Sequence, residues 1–378
     1  MLRLALALYH YFPYGGLQRD FLRIAGEASG RGHEVTVFTT AWQGEIPDGL
    51  DVRLIPPRGW SNHRRLHDFA MDLGEILAKS GPWDAVIGFN KLPGLDWYYA
   101  ADPCYVAAIA ETRSCFYRLT SRYRCYAQLE RSVFSPQAKT RILLIAEPEL
   151  AKFRTWYGTS AERVVLLPPG IARDRVAGPD AARLRVQARQ ALRCSDEELI
   201  LLQVGSAFRT KGVDRSLLAM AALPESLRQK VRLLVAGRGD ALPMERLAGR
   251  LGIASQVSFL GARDDVPQLL LAADLLLHPA RTENTGTVLL EAMAAGLPVL
   301  TTANCGYAGH VNAGEGGWVT PVPFDQTIFN HKLAEVLLSP ERVARGRSGL
   351  DYVRRTDIFS MPEKALDAIE AAAAGSRP

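Results

Sequence analysis

The sequence predicts an α/β chain of two doubly wound domains, each a parallel sheet with helices on both faces. Three observations predict it. Short apolar runs alternate with segments of helical periodicity from end to end, the pattern of strand–helix–strand units. The length of 378 residues suffices for two separate cores. Near residue 167, L-P-P-G gives way to a polar stretch rich in Ala, Arg and Asp, as at an interdomain hinge. The expected domains are therefore residues 1–170 and 171–358, with a terminal segment 359–378.

Composition narrows the class. A hydrophobic fraction of 48% and a charged fraction of 22% describe an ordinary soluble globular chain. The net charge of +5 is a mild excess that does not by itself argue for nucleic acid. Five scattered cysteines form no C-x-x-C pair, which speaks against a disulfide framework or zinc site. The first apolar run, residues 2–8, contains Arg3, lacks a cleavage site and is too short to cross a bilayer. It reads as a strand, and the chain is expected in the cytoplasm. His63 and His67 stand at helical spacing beside Asp68, but Arg64 and Arg65 crowd them, so no metal site is expected.

In the first domain, strands are expected at residues 4–8, 34–39, 84–88, 141–145 and 164–167. Gly15 and Gly16 follow the first strand and precede a helix whose apolar residues are Leu17, Phe21, Ile24 and Ala28. Such a glycine pair either lets backbone approach a ligand or makes a plain tight turn. Asp20, one turn into that helix, either meets a ligand or balances neighbouring charge. Asp102 ends the run F-N-K-L-P-G-L-D-W-Y-Y-A-A-D, which follows the strand at 84–88. Ligands of doubly wound sheets lie beyond the carboxyl ends of strands, so Gly15, Gly16 and Asp102 all fall at the ligand end.

Residues 111–134 carry Arg113, Arg118, Arg122, Arg124 and Arg131 against Glu111 and Glu130. Phe116, Leu119, Tyr123, Tyr126, Leu129 and Val133 recur at helical steps. The segment reads as one basic amphipathic helix, suited either to an anionic membrane surface or to packing its aromatic face on the sheet.

In the second domain, strands are expected at 199–204, 231–236, 257–260, 275–278 and 299–301. G-S-A-F-R-T-K-G follows the first of them and offers Ser206, Arg209 and Lys211, the two cations being suited to phosphate. After the strand ending at His278 comes E-N-T-G-T-V-L-L-E-A-M-A-A-G-L-P-V. Its helix starts near Gly286 and is stopped by Gly296 and Pro298. The amides of Gly286, Thr287 and Val288 are then free to meet a diphosphate. Glu283 and Glu291 flank that terminus, roughly 10 Å apart along the chain. A-G-R-G-D at 236–240 lacks the G-x-G-x-x-G spacing and reads as a loop lining a base pocket.

The segment from Glu283 through Gly286 to L-P-V resembles the E-x7-E segment of retaining nucleotide-sugar glycosyltransferases of family four. Together, Y-F-P-Y-G-G-L-Q-R-D-F, G-F-N-K-L-P-G-L-D and Y-R-L-T-S-R-Y-R resemble the lipopolysaccharide-core glucosyltransferases of Gram-negative bacteria over nearly the whole chain.

The resemblance implies the GT-B fold: two Rossmann-like domains facing across a cleft, and a C-terminal helix at 362–374 crossing back to the first domain. It implies an acceptor-binding first domain and a second domain that binds the nucleotide sugar. Configuration would be retained as a hexose, by family default glucose, passes from UDP to an inner-core heptose. N-acetylgalactosamine or another hexosamine is the alternative donor sugar, and a dinucleotide oxidoreductase the remote alternative class. Glu283, Asp102 and Lys211 would be catalytic. Gly15, Gly16, Asp20, Arg175, Ser206, Arg209, Arg263, Asn284, Thr285, Gly286, Thr287, Val288 and Glu291 would join Lys211 around the donor. The family places an arginine immediately before the lysine; here Thr210 stands there, which puts Arg209 in question. No metal cofactor and no nucleic acid would be involved. Partners would be the UDP-sugar, the lipid A–inner core acceptor and the anionic cytoplasmic face of the inner membrane, met by Arg113, Arg118, Arg122, Tyr123 and Arg124.

Overall fold

The computed structural model of the chain describes residues 1–13, 15–195 and 197–375. It falls into two compact units, Met1–Gly170 joined by the segment from Ser360 onward, and Ile171–Phe359.

The first unit is built on a parallel sheet of seven strands: β1 Arg3–Ala7, β2 Glu34–Thr39, β3 Leu50–Leu54, β4 Ala85–Gly88, β5 Trp97–Ala100, β6 Arg141–Leu144 and β7 Val164–Leu166. Their order is β3-β2-β1-β4-β5-β6-β7. The second sheet has six parallel strands: β8 Leu199–Val204, β9 Val231–Ala236, β10 Val257–Gly261, β11 Leu275–His278, β12 Val299–Thr302 and β13 Gly317–Thr320. Their order is β10-β9-β8-β11-β12-β13.

Central strands read as unbroken apolar runs because helices cover both faces. Along β8, Ile200 and Leu202 enter one core and Leu201 the other, the two-residue period of a strand. Three strands escape the apolar pattern. β3 and β13 sit at sheet edges, and β3, L-D-V-R-L, is mostly exposed. β5, W-Y-Y-A, is fully buried but only four residues long.

Each sheet reverses its winding once, between β1 and β4 in the first and between β8 and β11 in the second. Beyond the carboxyl ends at such a reversal the loops diverge and leave a crevice. The fold thus positions one ligand-competent place in each unit.

Residues 111–134 depart from the single helix expected. Helices α1 (Gly16–Gly30) and α2 (Asn62–Ser80) precede them; α3 (Tyr105–Thr112) then ends at Arg113, a 3-10 turn covers Cys115–Leu119, and α4 runs Ser121–Phe134. The Thr120 hydroxyl accepts the Tyr123 amide at 3.2 Å, an N-cap that starts a fresh helix where periodicity alone suggested continuity.

The terminal helix Met361–Gly375 packs along α1 in the first unit, where Met361, Ala365, Leu366 and Ile369 join the core of Leu4, Leu6, Phe21 and Ile24. Arg31 reaches Asp367 and Glu370 at 2.9 Å each, and His33 Nε2 lies 2.7 Å from Glu370. Among the described residues, no helix is long and apolar enough to cross a membrane.

Candidate active site

At the reversal of the second sheet, the loop after β8 packs against the chain leaving β11. Gly212 makes this possible: its φ of +72° suits glycine, and an added Cβ would lie 2.1 Å from the Pro279 carbonyl oxygen. Arg281 clamps the same seam. It holds Asp214 with two bonds of 2.7 Å and donates to the Arg209 carbonyl at 2.8 Å. Lys211 is thereby carried to the end of β11, where its ammonium pairs with Glu283 Oε2.

The same carboxylate oxygen lies 3.0 Å from His278 Nε2. His278 is the last residue of β11 and fully buried; its carbonyl accepts the Thr301 hydroxyl at 3.0 Å. The Glu283 backbone is fixed too, bridging to Cys305 and accepting the Gly306 amide at 3.3 Å. Burial works against the Glu283 charge, but the His278 hydrogen bond and the Lys211 charge outweigh it and bring its pKa down to about 2. Burial likewise opposes charging His278, yet neighbouring Cys305 and Glu283 prevail and raise it to about 9. Near neutral pH one carboxylate thus faces two cations, and the surplus positive charge suits an anionic ligand.

Three residues beyond Glu283 the chain turns through Gly286, whose φ is +84°, and enters the helix Thr287–Ala294. The amides of Thr287 and Val288 open that helix beside the cluster, and Glu291 lies buried one turn further in. The Thr285 carbonyl accepts the Tyr307 amide at 2.7 Å, which pins the turn carrying Asn284 and Thr285.

Other sequence candidates stand apart from this cluster. The Arg209 side chain is exposed and has no partner among the described residues, whereas Ser206 Oγ accepts the Arg238 amide at 3.2 Å. Two further candidates have local partners. The Arg263 guanidinium is tied to Asp265 by bonds of 2.7 and 2.5 Å, which leaves the backbone of 261–263 as the part expected to meet a base. Arg175 Nε faces its neighbour Asp174 at 3.6 Å, an ordinary local pair.

In the first unit, Gly15 caps α1 in a space already filled by Gln18, while Gly16 faces open space. Asp20 accepts the Tyr99 hydroxyl at 2.8 Å. Asp102 is exposed just after β5.

Tyr123 is half-buried between the rings of Tyr105 and Tyr117, at 5.9 and 6.3 Å, so the aromatic face of α4 packs inward. The apolar groups left outside are on the 3-10 turn: Phe116 is 75% and Leu119 66% exposed. Arg113, Arg118, Arg122 and Arg124 are exposed around them.

His278 escaped the sequence reading because it looked like the end of an apolar strand. The available signal was its place: a polar residue closing a buried parallel strand sits at the ligand end of the sheet.

Two doubly wound sheets in one chain, the second with an acidic–basic cluster ahead of a helix terminus, follow the GT-B glycosyltransferase plan. Residues 185–348 match the model for glycosyl transferases group 1, and residues 14–175 that for glycosyltransferase family 4. The chain is 45% identical to the lipopolysaccharide glucosyltransferase WaaG of Escherichia coli K12, across 97% of this chain and 98% of that protein. The crystal structure of WaaG, described as a glycosyltransferase involved in lipopolysaccharide biosynthesis, superposes with a TM-score of 0.92 at 44% identity, covering 97% and 99% of the two chains. Sucrose-phosphate synthase from Thermosynechococcus elongatus shares the fold, with a TM-score of 0.80 at 20% identity and full coverage of both chains. The chain belongs to the family-four glycosyltransferases of GT-B fold. It is a transferase, and the oxidoreductase alternative falls with that assignment.

Proposed function

We propose that this enzyme moves glucose from UDP-glucose to a heptose of the lipopolysaccharide inner core, with retention at the anomeric carbon. The observation that carries the reading is the Lys211–Glu283–His278 cluster at the sheet reversal, ahead of the glycine-turned helix terminus. The 45% identity to a lipopolysaccharide glucosyltransferase supports glucose as the sugar and lipopolysaccharide as the acceptor class.

Cleaving the bond to the diphosphate places negative charge on the departing oxygens, so preorganised positive groups matter most. A diphosphate at Lys211 competes with Glu283 for the ammonium. His278 remains to hold the carboxylate, so Glu283 stays ionised and in place to face the hexose. The amides of Thr287 and Val288 take further phosphate oxygens, Arg209 adds an outer charge, and Glu291 binds the ribose hydroxyls. In this reading, protein cations and amides do the work for which other transferases recruit a metal ion.

The lipid-linked acceptor also calls for contact with a membrane. Phe116 and Leu119 on the 3-10 turn, ringed by Arg113, Arg118, Arg122 and Arg124, suit shallow insertion into an anionic surface. The enzyme would then work as a peripheral protein on the cytoplasmic face of the inner membrane.

A donor screen tests the reading. Purified enzyme, given a heptose-terminated inner-core acceptor, should transfer from UDP-glucose at least tenfold faster than from UDP-galactose or the UDP-N-acetylhexosamines. NMR of the product should show the donor's anomeric configuration. Preference for a hexosamine, or inversion, would overturn it.

A further inference from the structure

The first unit has its own crevice at the β1/β4 reversal, a cavity of about 510 Å³. Tyr9 and His10 follow β1, Thr40 and Ala41 follow β2, and Asn90 follows β4; Asn62 and Arg65 of α2 and Tyr126 of α4 complete the polar wall. No lining residue is acidic.

Arg65 is the decisive group. Its Nε donates to the Gly59 carbonyl at 3.0 Å, which fixes the plane of the guanidinium. The two terminal nitrogens have no partner among the described residues, and no carboxylate pairs with it there. Burial raises the pKa of the Tyr9 phenol while the charge of Arg65 works to lower it, which places that charge over the cavity. Asn90 uses its oxygen to accept the Tyr9 amide at 2.7 Å, leaving its NH2 to donate. A guanidinium fork with two unused donor nitrogens matches a carboxylate or phosphate, and the surrounding amides and phenols match sugar hydroxyls.

We propose that this cavity is an acceptor subsite for an acidic saccharide unit, with Arg65 binding its carboxylate or phosphate. The proposal rests on the acceptor reading above and adds a charge requirement and a residue. Arg65 would act as a specificity determinant, selecting acceptors that carry an anion on the unit docked here.

The test is binding by NMR in the presence of saturating UDP, so that Lys211 is occupied. The probes are methyl mannoside, mannose 6-phosphate and glucuronic acid, and the readouts are the side-chain signals of His10 and Tyr126. At least one acidic probe should shift them saturably, with a dissociation constant tenfold or more below that of methyl mannoside. Whichever acid binds identifies phosphate or carboxylate as the anion. Arg65→Gln should abolish the preference while leaving UDP binding unchanged, and Arg65→Lys should keep part of it. Arg65 is exposed, so neither change threatens the fold. Equal binding of neutral and acidic probes, or a preference surviving in Arg65→Gln, would overturn the proposal. Failure of UDP to bind would count against the donor assignment alone, since the shifts at His10 are read independently.

Discussion

Lys211, from the loop after β8, and His278, at the end of β11, grip one oxygen of Glu283, so removing either leaves a different defect. Lys211→Ala removes a charge-assisted contact to the diphosphate and should weaken UDP binding by about 1.5–3 kcal/mol in calorimetry. Arg209→Ala should cost less, because its exposed side chain is more strongly screened. His278 leaves a pH signature. With a pKa raised to about 9 from 6.5, its pairing stabilises the fold fully below pH 6.5 and is lost as pH rises through 9. Glu283, lowered to about 2 from 4.5, contributes fully above pH 4.5 and loses that contribution as pH falls towards 2. Denaturant unfolding of the parent should therefore weaken between pH 6.5 and 9, and in His278→Gln that slope should vanish. The glutamine still donates one hydrogen bond, whereas His278→Leu leaves the buried carboxylate short of a partner and should cost about 1–3 kcal/mol more.

At the scale of elements, the 3-10 turn and α4 divide the labour that the sequence seemed to give to one helix. In the proposed membrane contact the arginines would supply attraction and the turn insertion. Replacing Arg118, Arg122 and Arg124 with serine should remove about 1 kcal/mol each of binding to anionic vesicles at low salt. Phe116→Ser with Leu119→Ser should weaken the binding that persists at high salt, and vesicle sedimentation measures both. Unchanged sedimentation of both variants would place the contact elsewhere.

What was legible at this scale follows from burial. The central strands announced themselves because both their faces are covered, and the helix after Gly286 because its glycines mark both ends. β3 was invisible because an exposed edge strand has no reason to be apolar. Thr120 was overlooked as a cap because apolar residues continue at helical spacing on either side of it. Lys211 reaches His278 and Glu283 only because β8 pairs with β11, a contact between residues 72 apart that no local pattern encodes.

For the whole molecule, the terminal helix matters more than its alanine-rich sequence suggests. Truncation before Met361 would uncover the faces that Met361, Leu366 and Ile369 cover, and strip Arg31 and His33 of Asp367 and Glu370. Burying one such apolar side chain contributes about 1.5–3 kcal/mol. Three of them rival the total stability of a typical domain, about 5–15 kcal/mol. The truncated chain should lose the first unit's calorimetric transition or show it at much lower temperature. The second unit, whose cores contain none of the removed residues, should melt as before.

The first unit is therefore sewn from two separate segments of the polypeptide, with the whole second unit spliced between. On a translating ribosome the seven strands emerge early, but the helix that covers α1 follows the whole second unit out of the exit tunnel. The second unit can be finished while the first still shows an apolar flank to solvent. Chaperone capture of ribosome-bound nascent chains should consequently persist until residues 361–375 have emerged, and a chain stalled just before them should be the most aggregation-prone stage of its synthesis.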